Sequence, residues 1–375
     1  CDLVGLERDV LEPVCERIAA ATALEADQVI VAGTHMHSGP SLLRTNYLKP
    51  VDQEYVAWLQ EERVAVGLEA WHSAAPARLG WGLGRARIGY NRRCCWADGT
   101  HSMHGDPTRE DFVGLEGPAD DAHLALFVAS PDHEVRAVLY NNTSHPTCFY
   151  GADFYSADFP GAARQHLRTA LGQVPVLFLN GAFGDQSIDD QLSLHRHHEP
   201  REQKLLRTAH LVAGETLRLL HQAQLRDQAP VRHACSPLEV PVRLPSSDRI
   251  EWARETLRQV DAGADVRRWD RMLAYGAQLL QQEFAARPAD TLRIHALRIG
   301  DVALVTQPCE LYCQFGLDIK QRSPAPLTGV VGIADGYSGY CPTVYGPLGG
   351  GYSGEPLHWT RLATDAGYRI VEEAT

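Results

Sequence analysis

The sequence predicts an α/β fold: one large domain, residues 1–375, of mixed β-sheets flanked by helices in a layered sandwich. Three observations carry that prediction. Short apolar runs with strand patterning intermix with helical periodicities along the whole chain. No Pro/Ser linker, internal repeat or low-complexity tract divides it. Polar residues of catalytic type recur just after strands, where α/β proteins build their sites.

The elements follow in order. Residues 9–22 place Val10, Leu11, Val14, Ile18 and Ala19 at helical spacing. Gln28 to Ala32 is β-branched and apolar and reads as a short buried strand. A helix follows over 52–73, then strand and turn over 77–90. From Asn91 to Pro118 no periodicity survives, which predicts a long functional loop. Strands over 123–128 and 135–141 flank the turn former Ser130-Pro131-Asp132, and a helix spans 158–171. A strand over 174–180, an amphipathic helix over 200–224 and an edge strand over 231–243 come next. Two polar helices form a hairpin-like insert, 247–287, ahead of strands 292–299 and 302–306, joined by Gly300-Asp301. A helix near Glu310, a strand over 327–333, a Gly/Tyr-rich stretch and a final helix over 357–373 complete the chain.

Composition narrows the function. The chain is 44% hydrophobic and 22% charged, as in ordinary globular proteins. A net charge of -12 argues against a nucleic-acid partner, because phosphate binding needs a basic face. Lysine occurs only at 49, 204 and 320, and the arginine excess reads as a background bias. Nine irregularly spaced cysteines, including the adjacent Cys94-Cys95, do not form a disulfide framework; reduced thiols and a cytoplasmic location are expected. No apolar run approaches the roughly 20 residues of a transmembrane helix.

The densest motif is Gly33-Thr34-His35-Met36-His37-Ser38-Gly39-Pro40. On an extended backbone residues i and i+2 share a side, so both imidazoles can face one point. Alone, the pair fits a metal site or two hydrogen-bonded loop histidines equally well. His145, in Ser144-His145-Pro146-Thr147, alone reads as a buried, backbone-bonded histidine, and Glu310 as a first-turn helix carboxylate. Asp185 and Ser187 alone read as caps, Asp158 as an acid on the site side, and His195-Arg196-His197-His198 as a solvated loop.

Taken together in chain order, these motifs resemble the neutral, non-lysosomal ceramidases, zinc amidases that cleave N-acyl sphingosine. The octapeptide is similar to that family's Thr-His-Thr-His-Ser-Gly-Pro. Asn91-Arg92, Ser144-His145-Pro146-Thr147, Gly184-Asp185-Gln186-Ser187, Pro308-Cys309-Glu310 and Tyr337-Ser338-Gly339-Tyr340 with Tyr352-Ser353-Gly354 resemble further family segments. The resemblance implies a Zn2+ held by His35, His145, Glu310 and Tyr340. It implies a substrate site lined by His37, Arg92 and Tyr352, and a catalytic part for Ser187. Gln186-Ser187-Ile188-Asp189 departs from the family's Val and Pro-Asn around that serine. The chain has no room for the family's C-terminal immunoglobulin-like domain, and it begins at Cys1, inside the family's N-terminal strand region, so upstream residues are expected.

The residue types suit that chemistry. Two imidazoles, a carboxylate and a phenol make a mixed N/O zinc shell with room for water, whose pKa zinc lowers to about 7. Arg92 and Tyr352 supply donors for the oxyanion of amide hydrolysis, and His37 a proton for the leaving amine. The expected activity is hydrolysis of a lipid-like or other small N-acyl amide. Two alternatives are a hydrolase using Ser187 as nucleophile and a non-catalytic metal- or ligand-binding protein.

Overall fold

The computed structural model describes residues 1–45, 51–193 and 199–375, so the run 195–198 lies outside the described residues. Two four-stranded sheets organise the chain. The first has strands Arg78–Arg85, Ala122–Ala129, Val135–Asn142 and Val176–Asn180, in that order. Its last pair is parallel and the others antiparallel. The second runs Val231–Pro241, Ala289–Ile299, Val302–Thr306 and Leu327–Val331, again with only the last pair parallel. Val231–Pro241 is an edge strand, which is where a strand containing Pro237 and Pro241 can sit without breaking a ladder.

Strand alternation builds the layers. Leu124 and Leu126 of the first sheet meet Val302, Leu304 and Val331 of the second in one buried cluster. Their neighbours Ala125 and Phe127 point the other way, onto Phe159, Leu167, Ala209 and Val212 of helices Asp158–Leu171 and Arg201–Gln222. In the second sheet Leu292, Ile294, Val305 and Val330 pack outwards against Ala253, Ala277, Phe315 and Ile370 of four further helices. The result is the expected layered α/β sandwich, helices outside and two sheets within. The helical insert is the antiparallel pair Ser247–Asp261 and Arg268–Phe284.

Four local expectations differ from the structure, one being the final helix, which begins at Ala366 rather than at 357. Residues 91–118 are a small three-stranded sheet of Arg93–Trp96, His101–Met103 and Phe112–Leu115, not a loop. Strands of three or four residues carrying Arg, Cys and His leave no readable period. Glu310 lies on the strand Cys309–Leu311, paired in parallel with Gly339–Cys341, and the helix begins only at Cys313. Gln28 to Ala32 forms no ladder beyond the bridge Ala32–Ala334, although residues 31–35 are gripped from both sides: Gly33 N donates to Ile333 O (2.9 Å) and His35 N to Leu3 O (2.9 Å).

Both parallel pairs end at the same place. Asn142 leads to His145, Asn180 to Asp185, Thr306 to Glu310 and Val331 to Tyr340. Asn180 ties these exits together. Its Nδ2 donates to Thr34 O (3.2 Å) and Ser144 O (2.8 Å), and its Oδ1 accepts from Ser144 N (3.3 Å) and Gly181 N (3.0 Å). Each of the first two partners is one residue from a site histidine. The volume-matched Asn180→Leu would strand buried backbone groups, so a stability loss of at least about 2 kcal/mol is expected in urea unfolding; a change below about 0.5 kcal/mol would show that the tie carries little.

Candidate metal and active site

His35, His37 and His145 come together at these strand ends, each able to offer one nitrogen within 4.8 Å of the others. His35 does so from a left-handed backbone, φ +66°, not from the extended conformation that i, i+2 spacing suggests. That strained setting is held by the flanking backbone bonds and turns the ring inwards. His35 Nδ1 donates to Val4 O (2.5 Å). His145 Nδ1 donates to Phe183 O (2.9 Å) and Gln186 O (2.8 Å). Carbonyl partners fix both tautomers, because a carbonyl can only accept. The Nε2 lone pairs therefore face inwards.

Glu310 faces them. Its Oε2 lies 3.5 Å from His35 Nε2 and 3.1 Å from His145 Nε2, while Oε1 accepts from Tyr337 Oη (2.8 Å). Arg92 closes the cluster, its Nη2 donating to His145 Nε2 (2.9 Å), Gly184 O (2.9 Å) and Tyr340 Oη (3.1 Å). Tyr352 Oη donates to Tyr340 Oη (2.9 Å). Seven of the eight residues singled out by sequence thus meet in one small volume, with His35, Arg92, His145, Glu310 and Tyr340 buried and His37 and Tyr352 partly so. Gly184 is required there: a Cβ would lie 2.2 Å from Glu310 O.

Ser187 sits apart in its hydrogen bonding. It is buried, and among the described residues its Oγ bonds only with Asp189, accepting from the amide (3.1 Å) and donating to the carboxylate (3.5 Å). Asp158 is buried and caps locally, accepting from Phe149 N (3.2 Å) and Phe159 N (2.7 Å), which pins the loop carrying Tyr150. Neither Tyr337 nor Asn180 carries a sequence signal for its role at the site. Tyr337 stood within a motif already noted, but its bond to Glu310 spans 27 residues and has no local signature.

Burial sets the protonation states. It lowers His145 to about 3, with Arg92 adding to the effect. Burial, with the neighbouring histidines, holds His37 well below the ordinary imidazole value. Burial alone would raise Glu310, but positive charge on His35 or His145 outweighs it and holds the carboxylate well below its ordinary value, so a proton entering the cluster goes to nitrogen. Burial and the Glu310 charge raise the Tyr340 and Tyr352 phenols, which stay protonated. At neutral pH the cluster is a set of acceptors aimed at one another, with the Nε2 atoms of His35 and His37 buried and unpartnered. That donor set fits a divalent cation bound through nitrogen and oxygen. All nine cysteines are free thiols. Among the described residues no helix is long and apolar enough to cross a membrane.

No protein-family model matches the sequence, and no curated protein matches it. Solved structures do. A ceramidase complexed with C2 matches the whole of this chain and 65% of its own, with a TM-score of 0.70 at 16% identity. The neutral ceramidase from Pseudomonas aeruginosa matches the whole chain and 64% of its own, with a TM-score of 0.71 at 16% identity. The chain thus has the fold of these neutral ceramidases and spans about 65% of the length of such neighbours.

Neutral buried histidines make the metal-free protein acid-sensitive. His145 folds at about 3 against an ordinary 6.5, so as pH falls below about 6.5 the unfolded chain takes up the proton first. Stability present above that pH is lost on acidification, by up to about 1.4 kcal/mol per pH unit for one such group. Asp185, pushed up to about 6 by burial, works the other way, gaining a proton in the folded state. Urea unfolding in chelator should show His145→Asn with a shallower loss between pH 7 and 5 than the parent; equal slopes would contradict a neutral His145.

Proposed function

We propose that the protein is a zinc-dependent amidohydrolase that cleaves an N-acyl amide, with ceramide-like lipids the leading substrate class. The observation that carries this reading is the buried carboxylate of Glu310 facing the Nε2 atoms of His35 and His145 at 3.5 and 3.1 Å. In this reading His35, His145, Glu310 and Tyr340 hold the metal. When bound, zinc supplies Lewis acidity that polarises a carbonyl and makes hydroxide available near neutral pH.

The chain's own residues do the rest. Val4, Phe183 and Gln186 carbonyls keep the two imidazoles in the ligating tautomer. Tyr337 holds Glu310 from behind. Arg92 is a fixed, buried cation whose Nε has no partner, so it can donate to the oxygen on which negative charge develops. Tyr352, bonded to Tyr340, presents a protonated phenol to the same oxygen. His37 is neutral with an unpartnered Nε2, suited to taking a proton and passing it to the departing amine nitrogen. The bonding of Ser187 with Asp189 favours this over a serine nucleophile.

Metal analysis coupled to hydrolysis of N-acyl amides tests the reading. The purified protein should carry one zinc and lose activity on chelation. His35→Ala and His145→Ala should lose both metal and turnover, while Ser187→Ala should keep most of each. His37→Ala separates ligand from proton carrier: the metal should stay and kcat fall on the order of 10²–10⁴-fold. Full activity in metal-free protein would sink the proposal, and loss of metal from His37→Ala would move that histidine into the ligand set.

A further inference from the structure

Arg92 and Arg93 are neighbours that point to opposite sides of the backbone. Arg92 enters the site, whereas Arg93 is completely buried on the far side. There its Nε donates to Glu116 Oε2 (2.8 Å), which also bonds His101 Nδ1 (2.6 Å). Its Nη1 donates to Gly350 O (3.2 Å) and Ser353 Oγ (3.3 Å). Ser353 Oγ also meets Tyr312 Oη at 2.7 Å. The segments bearing Arg92 and Glu310 therefore each send a nearby side chain, Arg93 and Tyr312, to one buried serine.

That serine adjoins Tyr352. The loop ahead of it turns through Gly350 and Gly351, with φ +71° and +78°, conformations that favour glycine. It also runs flush against His101: a Cβ on Gly349 would lie 2.3 Å from the His101 ring. Among the described residues, Trp359 Nε1 to Tyr352 O (3.3 Å) and Arg243 Nη1 to Gly354 O (2.9 Å) add further ties. The loop thus takes its position from a buried, charge-assisted clamp rather than from regular secondary structure.

We propose that Arg93, through Glu116 and Ser353, is a positioning residue that sets Tyr352 against Tyr340 and Arg92. This rests on the amidohydrolase reading for its consequence in turnover, but not for the geometry it asserts. A lysine keeps the charge at 93 yet cannot reach Glu116, Gly350 and Ser353 together, because it lacks the planar fork of donors. Misplacing a group by about 1 Å can cost on the order of 100-fold in rate.

The test is a double-mutant cycle between Arg93→Lys and Tyr352→Phe. Arg93→Lys should lower kcat roughly 10- to 100-fold with zinc content kept and KM within about twofold. In the Tyr352→Phe background it should cost less than about twofold more. Ser353→Ala, which removes the shared acceptor without a charge change, should behave alike and serves if the arginine variant fails to fold. Losses that multiply in the double variant would overturn the proposal. A second readout needs no turnover: 3-fluorotyrosine at position 352 should give one sharp 19F resonance in the parent and a broadened or split one in Arg93→Lys. An unchanged spectrum overturns the clamp. A parent that hydrolyses no amide sinks only the functional reading.

Discussion

A carboxylate buried against two imidazoles is the constraint on which the rest of this structure depends. With Nδ1 of His35 and His145 committed to carbonyls, their Nε2 lone pairs face Glu310 Oε2. Nitrogen lone pairs and a carboxylate oxygen repel at that range, and burial removes the water that would screen them. A divalent cation would turn the same contacts into ligation. The surrounding bonds, from Tyr337 to Glu310 and from Arg92 to His145 and Tyr340, would in the proposed metal site orient the ligands and offset charge.

The fold brings that contact about with ordinary means. Two sheets each end in a parallel pair, and the carboxyl ends of both pairs open on one spot. One asparagine, Asn180, gathers the exits by satisfying backbone groups next to His35 and His145. Short-range backbone cost is accepted where it aims a ring: His35 has positive φ, as do Ile333 and Asp335 on the segment beside it. Asp335 in turn anchors the segment before His35 by accepting from Val31 N (2.8 Å).

Much of this was legible in the residues. The long strands and helices announced themselves by period, and Gly300-Asp301 marked its hairpin, with Ile299 paired to Val302. The octapeptide and the ordered histidines, glutamate and tyrosines pointed to one site before any geometry was known. What stayed hidden depends on long-range pairing. The sheet within 91–118 has strands too short and polar to show a period. Glu310 looks like a helix residue because its strand has three residues and pairs, among the described residues, only with Gly339–Cys341. The left-handed turn at His35 is imposed by neighbours on both sides. Arg93 looks like a surface charge until its partners Glu116 and Ser353, 23 and 260 positions away, are in place.

X-ray absorption at the zinc edge, on protein titrated with the metal, tests the central claim most directly. The account predicts one tightly bound zinc per chain in a shell of nitrogen and oxygen at about 2.0–2.2 Å, with no sulfur near about 2.3 Å. It also predicts that Glu310→Gln weakens that binding. Failure to bind zinc, or a shell built from thiolates, would contradict it.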